Sequence, residues 1–289
     1  MKKLFLVILL NTFLSVYSQQ KYAFLMGISD YGNKENVSSD SIWCNIHGTN
    51  DIDLLAPTLS QHGFSITSIK DKNATAKNIR NKITKLISKV KDGDIVYLHF
   101  SCHGQPFEDL SGDEEDGWDE ALVPVDAQMY YKENVYQGEN HILDDELNSY
   151  FIQLRRKAGT TGFVFVVIDA CHAGSSYRGD DEDEVFERGT RNAFSKTRKL
   201  YRPRINTSSN FKIEKGNEMA DICVLEACRS YQVNREIKEN GSFYGPLSFY
   251  VNEQLKESAL TTDISWIEQV KINMSSRLVG QNMVIESSK

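Results

Sequence analysis

The sequence predicts an α/β fold, an open, mostly parallel sheet flanked by helices on both faces, and three observations predict it. Five runs, Tyr22 to Ile28, Phe64 to Ile69, Asp94 to Ser101, Phe163 to Asp169 and Asp221 to Ala227, are mostly continuously apolar, as strands buried on both faces are. Between them lie stretches whose apolar residues recur at helical spacing, the alternation that builds parallel sheets through helical crossovers. The chain has 289 residues, 40% hydrophobic and 25% charged, which is ample for a sizeable core.

The elements follow in order. Met1-Lys2-Lys3, an apolar run from Leu4 to Leu10 and small or polar residues through Val16-Tyr17-Ser18-Gln19 form the pattern of an export signal. The run is too short to span a bilayer stably, so no stable membrane anchor is expected. Residues 1–18 are expected to be removed before Gln19, sending the protein to the periplasm or outside the cell. The first strand, Tyr22 to Ile28, is followed by a helix from about Asp51 to His62 and then the second strand. Ile79, Ile83, Leu86, Ile87 and Val90 mark one face of the next helix, closed by Asp92-Gly93 before the third strand. Helices are also expected from Asp144 to Lys157, Pro246 to Lys256 and Asp263 to Met274.

The formal net charge of −7 supplies no general basic field, so nucleic acid is not an expected partner. The charge is uneven. Residues 108–120 carry eight carboxylates and no base, whereas residues 188–204 carry Arg188, Arg191, Lys196, Arg198, Lys199, Arg202 and Arg204. The five cysteines, Cys44, Cys102, Cys171, Cys223 and Cys228, are neither even in number nor densely spaced, so a disulfide scaffold is not expected. They offer no C-x-x-C pair for structural zinc.

In open α/β sheets ligands sit beyond the carboxyl ends of the strands. The third strand ends in Ser101-Cys102-His103-Gly104 and the fourth in Asp169-Ala170-Cys171-His172-Ala173-Gly174, which brings a His and a Cys to one rim. A thiol beside a base is an activated nucleophile, so Cys171 with His103 reads as a catalytic pair. Gly104 and Gly174 let backbone approach a substrate, and the amides near Gly104 and Cys171 suit an oxyanion hole. His172 directly follows the nucleophile. Neighbours at a strand end point to opposite sides, so His103 is the expected base.

These two stretches resemble the active-site signatures of caspase-like peptidases, the second being nearer to metacaspases than to animal caspases. Asp119-Glu120-Ala121-Leu122-Val123-Pro124-Val125-Asp126 and Ile142-Leu143-Asp144-Asp145-Glu146-Leu147 are similar to the family's connecting segments. Val224-Leu225-Glu226-Ala227-Cys228-Arg229 with Gly241-Ser242-Phe243 is similar to its small-subunit strand and helix. The similarity runs from about residue 21 to residue 251 or beyond. It implies a caspase-like fold and a metacaspase-like peptidase of bacterial type. Residues 19–289 would then form one peptidase domain: large-subunit-like to about 185, a processing or regulatory loop over about 186–215, and small-subunit-like from about 216.

The activity implied is hydrolysis of peptide bonds through a thioester on Cys171, with His103 moving the proton. The resemblance further implies peptide or protein substrates with Arg or Lys before the cut, and a pocket formed by Asp51 and Asp169. A carboxylate pair would bind a guanidinium in two-pronged fashion. Asp51 reads equally well as a helix cap. Calcium is the regulatory ion implied, with Asp119, Asp144 and Asp145 at the matching positions and no organic cofactor. The fourth expected carboxylate falls near Arg178, so the match fails there unless Asp180 or Asp181 takes its place. An enzyme with such a pocket would find its own basic residues in the 188–204 block, where self-cleavage is expected; a solvated surface loop is the other reading. A monomer is expected. The alternatives are a relative with another preference, clostripain-like or gingipain-like, and a non-catalytic caspase-fold binding module.

Overall fold

The computed structural model describes residues 18–32, 43–112, 114, 116–172, 185–202, 211 and 213–288. The export-signal pattern up to Tyr17, Gly174, Arg178, Asp180, Asp181 and Arg204 lie outside them. In chain order the first half contains β1 (Lys21–Gly27), α1 (Gly48–Gln61), β2 (Ser65–Lys70), α2 (Ala76–Lys89) and β3 (Ile95–Ser101). Then come β4 (His103–Glu108), β5 (Trp118–Val123), β6 (Ile142–Leu143), α3 (Asp144–Ala158) and β7 (Phe163–Asp169). The last part holds β8 (Asp221–Glu226), β9 (Ile237–Glu239), β10 (Ser242–Tyr244), α4 (Pro246–Glu257), α5 (Ile267–Arg277) and β11 (Val284–Ser287).

The main sheet has the order β11-β8-β7-β3-β1-β2, and every neighbouring pair is parallel except β11 with β8. Its inner strands β1, β3, β7 and β8 are apolar on both faces because both faces are covered. Val164, Val166 and Ile168 of β7 join Ile79 and Ile83 of α2 and Phe151 and Leu154 of α3. The alternate residues Phe163, Phe165 and Val167 join Leu55 of α1, Val251 of α4 and Val270 of α5. This is the open α/β architecture the sequence predicts, and β8 extends it directly from β7.

The helices start where local chemistry allows. Thr75 accepts a hydrogen bond from the Asn78 amide at 3.3 Å and so caps α2. α3 carries Asp144, Asp145 and Glu146 in its first turn and Arg155, Arg156 and Lys157 in its last, charges that complement the helix dipole. α5 begins at Ile267, later than expected, because Asp263 closes a turn onto the Ser265 amide at 2.9 Å.

Three features depart from the sequence expectation. β11 adds an antiparallel edge to β8. A small sheet of order β4-β5-β6 and a hairpin of β9 with β10 stand beside the main sheet. His103 is therefore the first residue of β4 and not the tail of β3. The frame that positions the site is the register, in which Gly27 aligns with Ser101 and Ser101 with Asp169.

Candidate active site

Because Ser101 and Asp169 are partners at the ends of adjacent strands, the residues two further on, His103 and Cys171, leave the sheet side by side. Tyr31 holds the first of them. Its hydroxyl accepts the His103 amide at 2.9 Å and donates to the Val123 carbonyl at 3.1 Å. The imidazole lies between Tyr31 and Trp43, with ring centroids 4.9 and 5.2 Å away.

Nε2 of His103 is 2.8 Å from the carbonyl oxygen of Cys44. A carbonyl can only accept, so Nε2 carries the proton and Nδ1 of the neutral ring keeps a free lone pair. Nδ1 is buried and makes no hydrogen bond. Burial pushes the group's pKa down to about 4, which keeps the ring neutral near neutral pH. The thiol of Cys171, itself buried, donates to the Gln232 carbonyl at 2.6 Å, and Cys228 packs against it. No hydrogen bond closes the pair in this resting arrangement. His172 is also buried, with Nε2 unpartnered and its pKa pushed down to about 3 by burial.

The amides of Gly104 and Cys171 converge on one acceptor, the carbonyl oxygen of Arg188, at 3.1 Å each. A Cβ on Gly104 would come within 2.5 Å of the Cys171 carbonyl oxygen, so only glycine permits this approach.

The side chain of Arg188 enters a fully buried acidic pocket. Its Nη1 reaches Asp51 Oδ2 at 2.6 Å, Ser101 Oγ at 2.6 Å and Asp169 Oδ1 at 3.5 Å. Its Nε and Nη2 bind Glu236 Oε1 at 3.0 and 2.8 Å. The carboxylates are themselves fixed. Asp51 Oδ1 accepts the Gly245 amide at 2.9 Å. Asp169 accepts Asn234 Nδ2 and both the amide and hydroxyl of Ser248, each at 2.7 Å. A Cβ at Gly245 would strike Asp169 Oδ2 at 2.2 Å and Arg188 Nη1 at 2.4 Å, so glycine roofs the pocket. Burial pushes Asp51 up to about 7 against the pull of Arg188, and the three carboxylates hold the guanidinium well above its ordinary value despite burial.

Asp51 and Asp169 are thus brought together as the sequence reading of a pocket requires. The helix-cap alternative for Asp51 is corrected. α1 starts at Gly48, its capping position is His47, and the Asp51 carboxylate turns to Ser101, Gly245 and Arg188. Glu236, the third carboxylate, was not foreseen, since it stands in a stretch without a motif. Ser101 stood inside a motif that pointed only to its neighbour His103.

The backbone around Arg188 is held by isolated bridges on either side of the residue, Glu187 with Arg235 and Gly189 with Gly104. The Arg188 amide donates to the Asn234 carbonyl at 3.0 Å, and the Glu236 amide donates to the Phe186 carbonyl at 2.9 Å. Further along, Phe194 bridges to Phe107 on β4. Of the other basic residues in the block, Arg191, Lys196, Arg198, Lys199 and Arg202 are exposed. Lys199 reaches the Gly117 carbonyl at 2.9 Å.

Asp119, on β5, and Asp144, first in α3, are buried; Asp145 is exposed. Burial, Asp119 and Asp145 together push Asp144 up to about 8, and its Oδ1 is buried without a hydrogen bond. Asp144 does not cap its helix, whose capping position is Leu143. Among the described residues no three acidic, His or Cys side chains stand close enough together to hold a metal.

The comparisons with known proteins agree with this geometry. Residues 32–178 match the family model "Metacaspase, peptidase C14 domain". Metacaspase-1B of Aspergillus fumigatus is 36% identical over 102 residues, 35% of this chain and 22% of that protein. Metacaspase-1 of Kluyveromyces lactis is 22% identical over 298 residues, 90% of this chain and 65% of that protein. The chain thus matches less than a quarter of the length of the Aspergillus relative and about two thirds of the yeast one. A solved Geobacter sulfurreducens structure shares the fold, with a TM-score of 0.61, 19% identity and 93% of each chain covered. Since the family model takes in more than half of the sequence, including both His103 and Cys171, the chain belongs to the metacaspase family of peptidase C14 proteins.

Proposed function

We propose that this protein is a cysteine endopeptidase that cuts after Arg or Lys, and that its first substrate is its own Arg188–Gly189 bond. The observation that carries the reading is the placement of Arg188, with its side chain among Asp51, Asp169 and Glu236 and its carbonyl oxygen shared by the Gly104 and Cys171 amides. A bound substrate needs both features at once. Gly189 follows directly and supplies the leaving amine.

In the reaction the thiol leaves the Gln232 carbonyl and gives its proton to Nδ1 of His103. The sulfur attacks the Arg188 carbonyl carbon, and the negative charge forms on the oxygen already facing two amides. The imidazolium then protonates the Gly189 nitrogen as the peptide bond breaks, leaving a thioester on Cys171. His103 next draws a proton from water, and the resulting hydroxide releases the Arg188 carboxylate and the free thiol. In the resting chain the thiol donates to the Gln232 carbonyl, an arrangement it must leave before attack, consistent with a precursor that awaits a signal.

Calcium is the signal we propose, with Asp119, Asp144 and Asp145 as ligands that would have to draw closer together than they stand here to hold it. Its charge would offset the repulsion among these carboxylates, and Asp144 Oδ1 is a buried acceptor suited to it. Export with removal of residues 1–18, and action as a monomer on basic protein sites, complete the reading.

The test is an assay of the full chain on fluorogenic peptides ending in Arg, Lys or Asp, with calcium or with chelator, alongside Cys171→Ala. Cleavage after Arg and Lys that vanishes in the variant is expected. Cleavage after Asp would overturn the pocket assignment, and activity in Cys171→Ala would overturn the mechanism.

A further inference from the structure

The segment in the cleft records more than the residue before the cut. Phe186, two residues ahead of Arg188, is buried, although it belongs to a connecting loop of a sheet protein. Its ring meets the His47 imidazole edge-on, with centroids 4.5 Å apart and planes at 89°. It lies 4.8 Å from the ring of Phe243, at 68°. His47 and Phe243 stack on each other at 5.0 Å and 23°, forming two walls of one slot. Lys238 Nζ stands over Phe243 at 4.8 Å.

The walls are built, not fortuitous. The His47 amide donates to Glu236 Oε1 at 2.8 Å, and its Nδ1 lies 2.6 Å from Glu236 Oε2. Asn50 Nδ2 donates to the Phe243 carbonyl at 3.0 Å, tying β10 to α1. Glu236 therefore binds the guanidinium through Oε1 and holds His47 through both oxygens, tying the slot to the pocket. Its amide also fixes the Phe186 backbone at 2.9 Å, setting the residue's depth. The intervening Glu187 pairs with the largely exposed Arg235, at 3.3 Å.

We infer that His47 and Phe243 form a binding subsite for an aromatic side chain two residues before the basic one, so that the substrate class is aromatic-X-Arg. This rests on the reading of Arg188 as the residue before the cut. Edge-to-face contact on two rings together with burial favours Phe over Ala at this position by roughly 30-fold in kcat/KM.

The experiment compares acetylated Phe-Glu-Arg, Leu-Glu-Arg and Ala-Glu-Arg aminocoumarin amides on the full chain with calcium. Phe should be best and Ala worst, and the Phe-to-Ala ratio should collapse toward one in Phe243→Ala and, less completely, in Phe243→Leu. In the chain itself, Phe186→Ala should slow the appearance of the Gly189 terminus at least tenfold, while Phe186→Tyr should restore it. Equal cleavage of all three peptides, with Arg still required, would overturn the subsite and leave the basic specificity standing. Failure to cut any Arg peptide or the Arg188 bond would instead remove the reading on which it rests.

Discussion

Two acidic clusters of this protein use the same side chains to opposite ends. In the first, Asp51, Asp169 and Glu236 are buried around a guanidinium, and nearly every carboxylate oxygen has a donor. In the second, Asp144 is pushed up by burial and by Asp119 and Asp145, and its Oδ1 has no hydrogen bond. A buried charge is tolerable only when it is paired. The first cluster has its partner from the chain itself, in the segment proposed for cleavage; the second is the proposed station of an external cation. Acidic residues are therefore not interchangeable: the surrounding donors decide whether a buried carboxylate is satisfied within the chain or left with an open acceptor.

The contrast can be broken by removing single charges. Asp169→Asn takes away a carboxylate that both faces Arg188 and is aligned by Ser248 and Asn234. Peptide cleavage after Arg should fall by roughly 100-fold or more in kcat/KM, from the loss of a buried charge pair; an unchanged rate would detach this residue from the pocket. Arg188→Gln leaves three carboxylates buried without their cation. Uncut protein should lose about 3–5 kcal/mol in denaturant unfolding, and no Gly189 terminus should form.

A change of pH probes the base between the clusters. His103 is neutral in the fold, with a pKa near 4 against an ordinary value of 6.5. Below pH 6.5 the unfolded chain binds the proton and the folded one does not. The contribution is thus fully present above pH 6.5 and is lost as the pH falls toward 4. It amounts to about 3 kcal/mol for a shift of this size. Asp51 and Asp144 titrate in the opposite sense in the same window, so the readout is the difference between parent and His103→Gln: as the pH falls, unfolding midpoints of the parent should decline relative to those of the variant.

The smallest effect carries the opposite sign. In chelator, Asp144→Asn should stabilise the chain by about 1 kcal/mol because it relieves repulsion at a buried site, whereas calcium-stimulated cleavage should be lost. Destabilisation in chelator would erase the distinction between the clusters.

Much of this was legible in the sequence. Continuous apolar runs mark β1, β3, β7 and β8 because strands covered on both faces need no alternation, and the strand ends carry the His and the Cys. Asp51 was legible only as an ambiguity, since a carboxylate early in a helix suits a cap as well as a pocket. Other parts depend on contacts between distant segments. Glu236, His47 and Phe243 join the site through pairings across the cleft that no local pattern encodes. β11 is four residues with a mixed pattern, and only the open edge of β8 makes it a strand. Among the basic residues of the 188–204 block composition makes no choice. Packing does, burying Arg188 and leaving Arg191, Lys196, Arg198, Lys199 and Arg202 exposed.

The most direct measurement of the central claim is the mapping of new amino termini after the purified chain is incubated with calcium, beside Cys171→Ala. A first terminus at Gly189 that is absent from the variant is the predicted result. A first cut after any of the exposed basic residues, or a Gly189 terminus in Cys171→Ala, would contradict it.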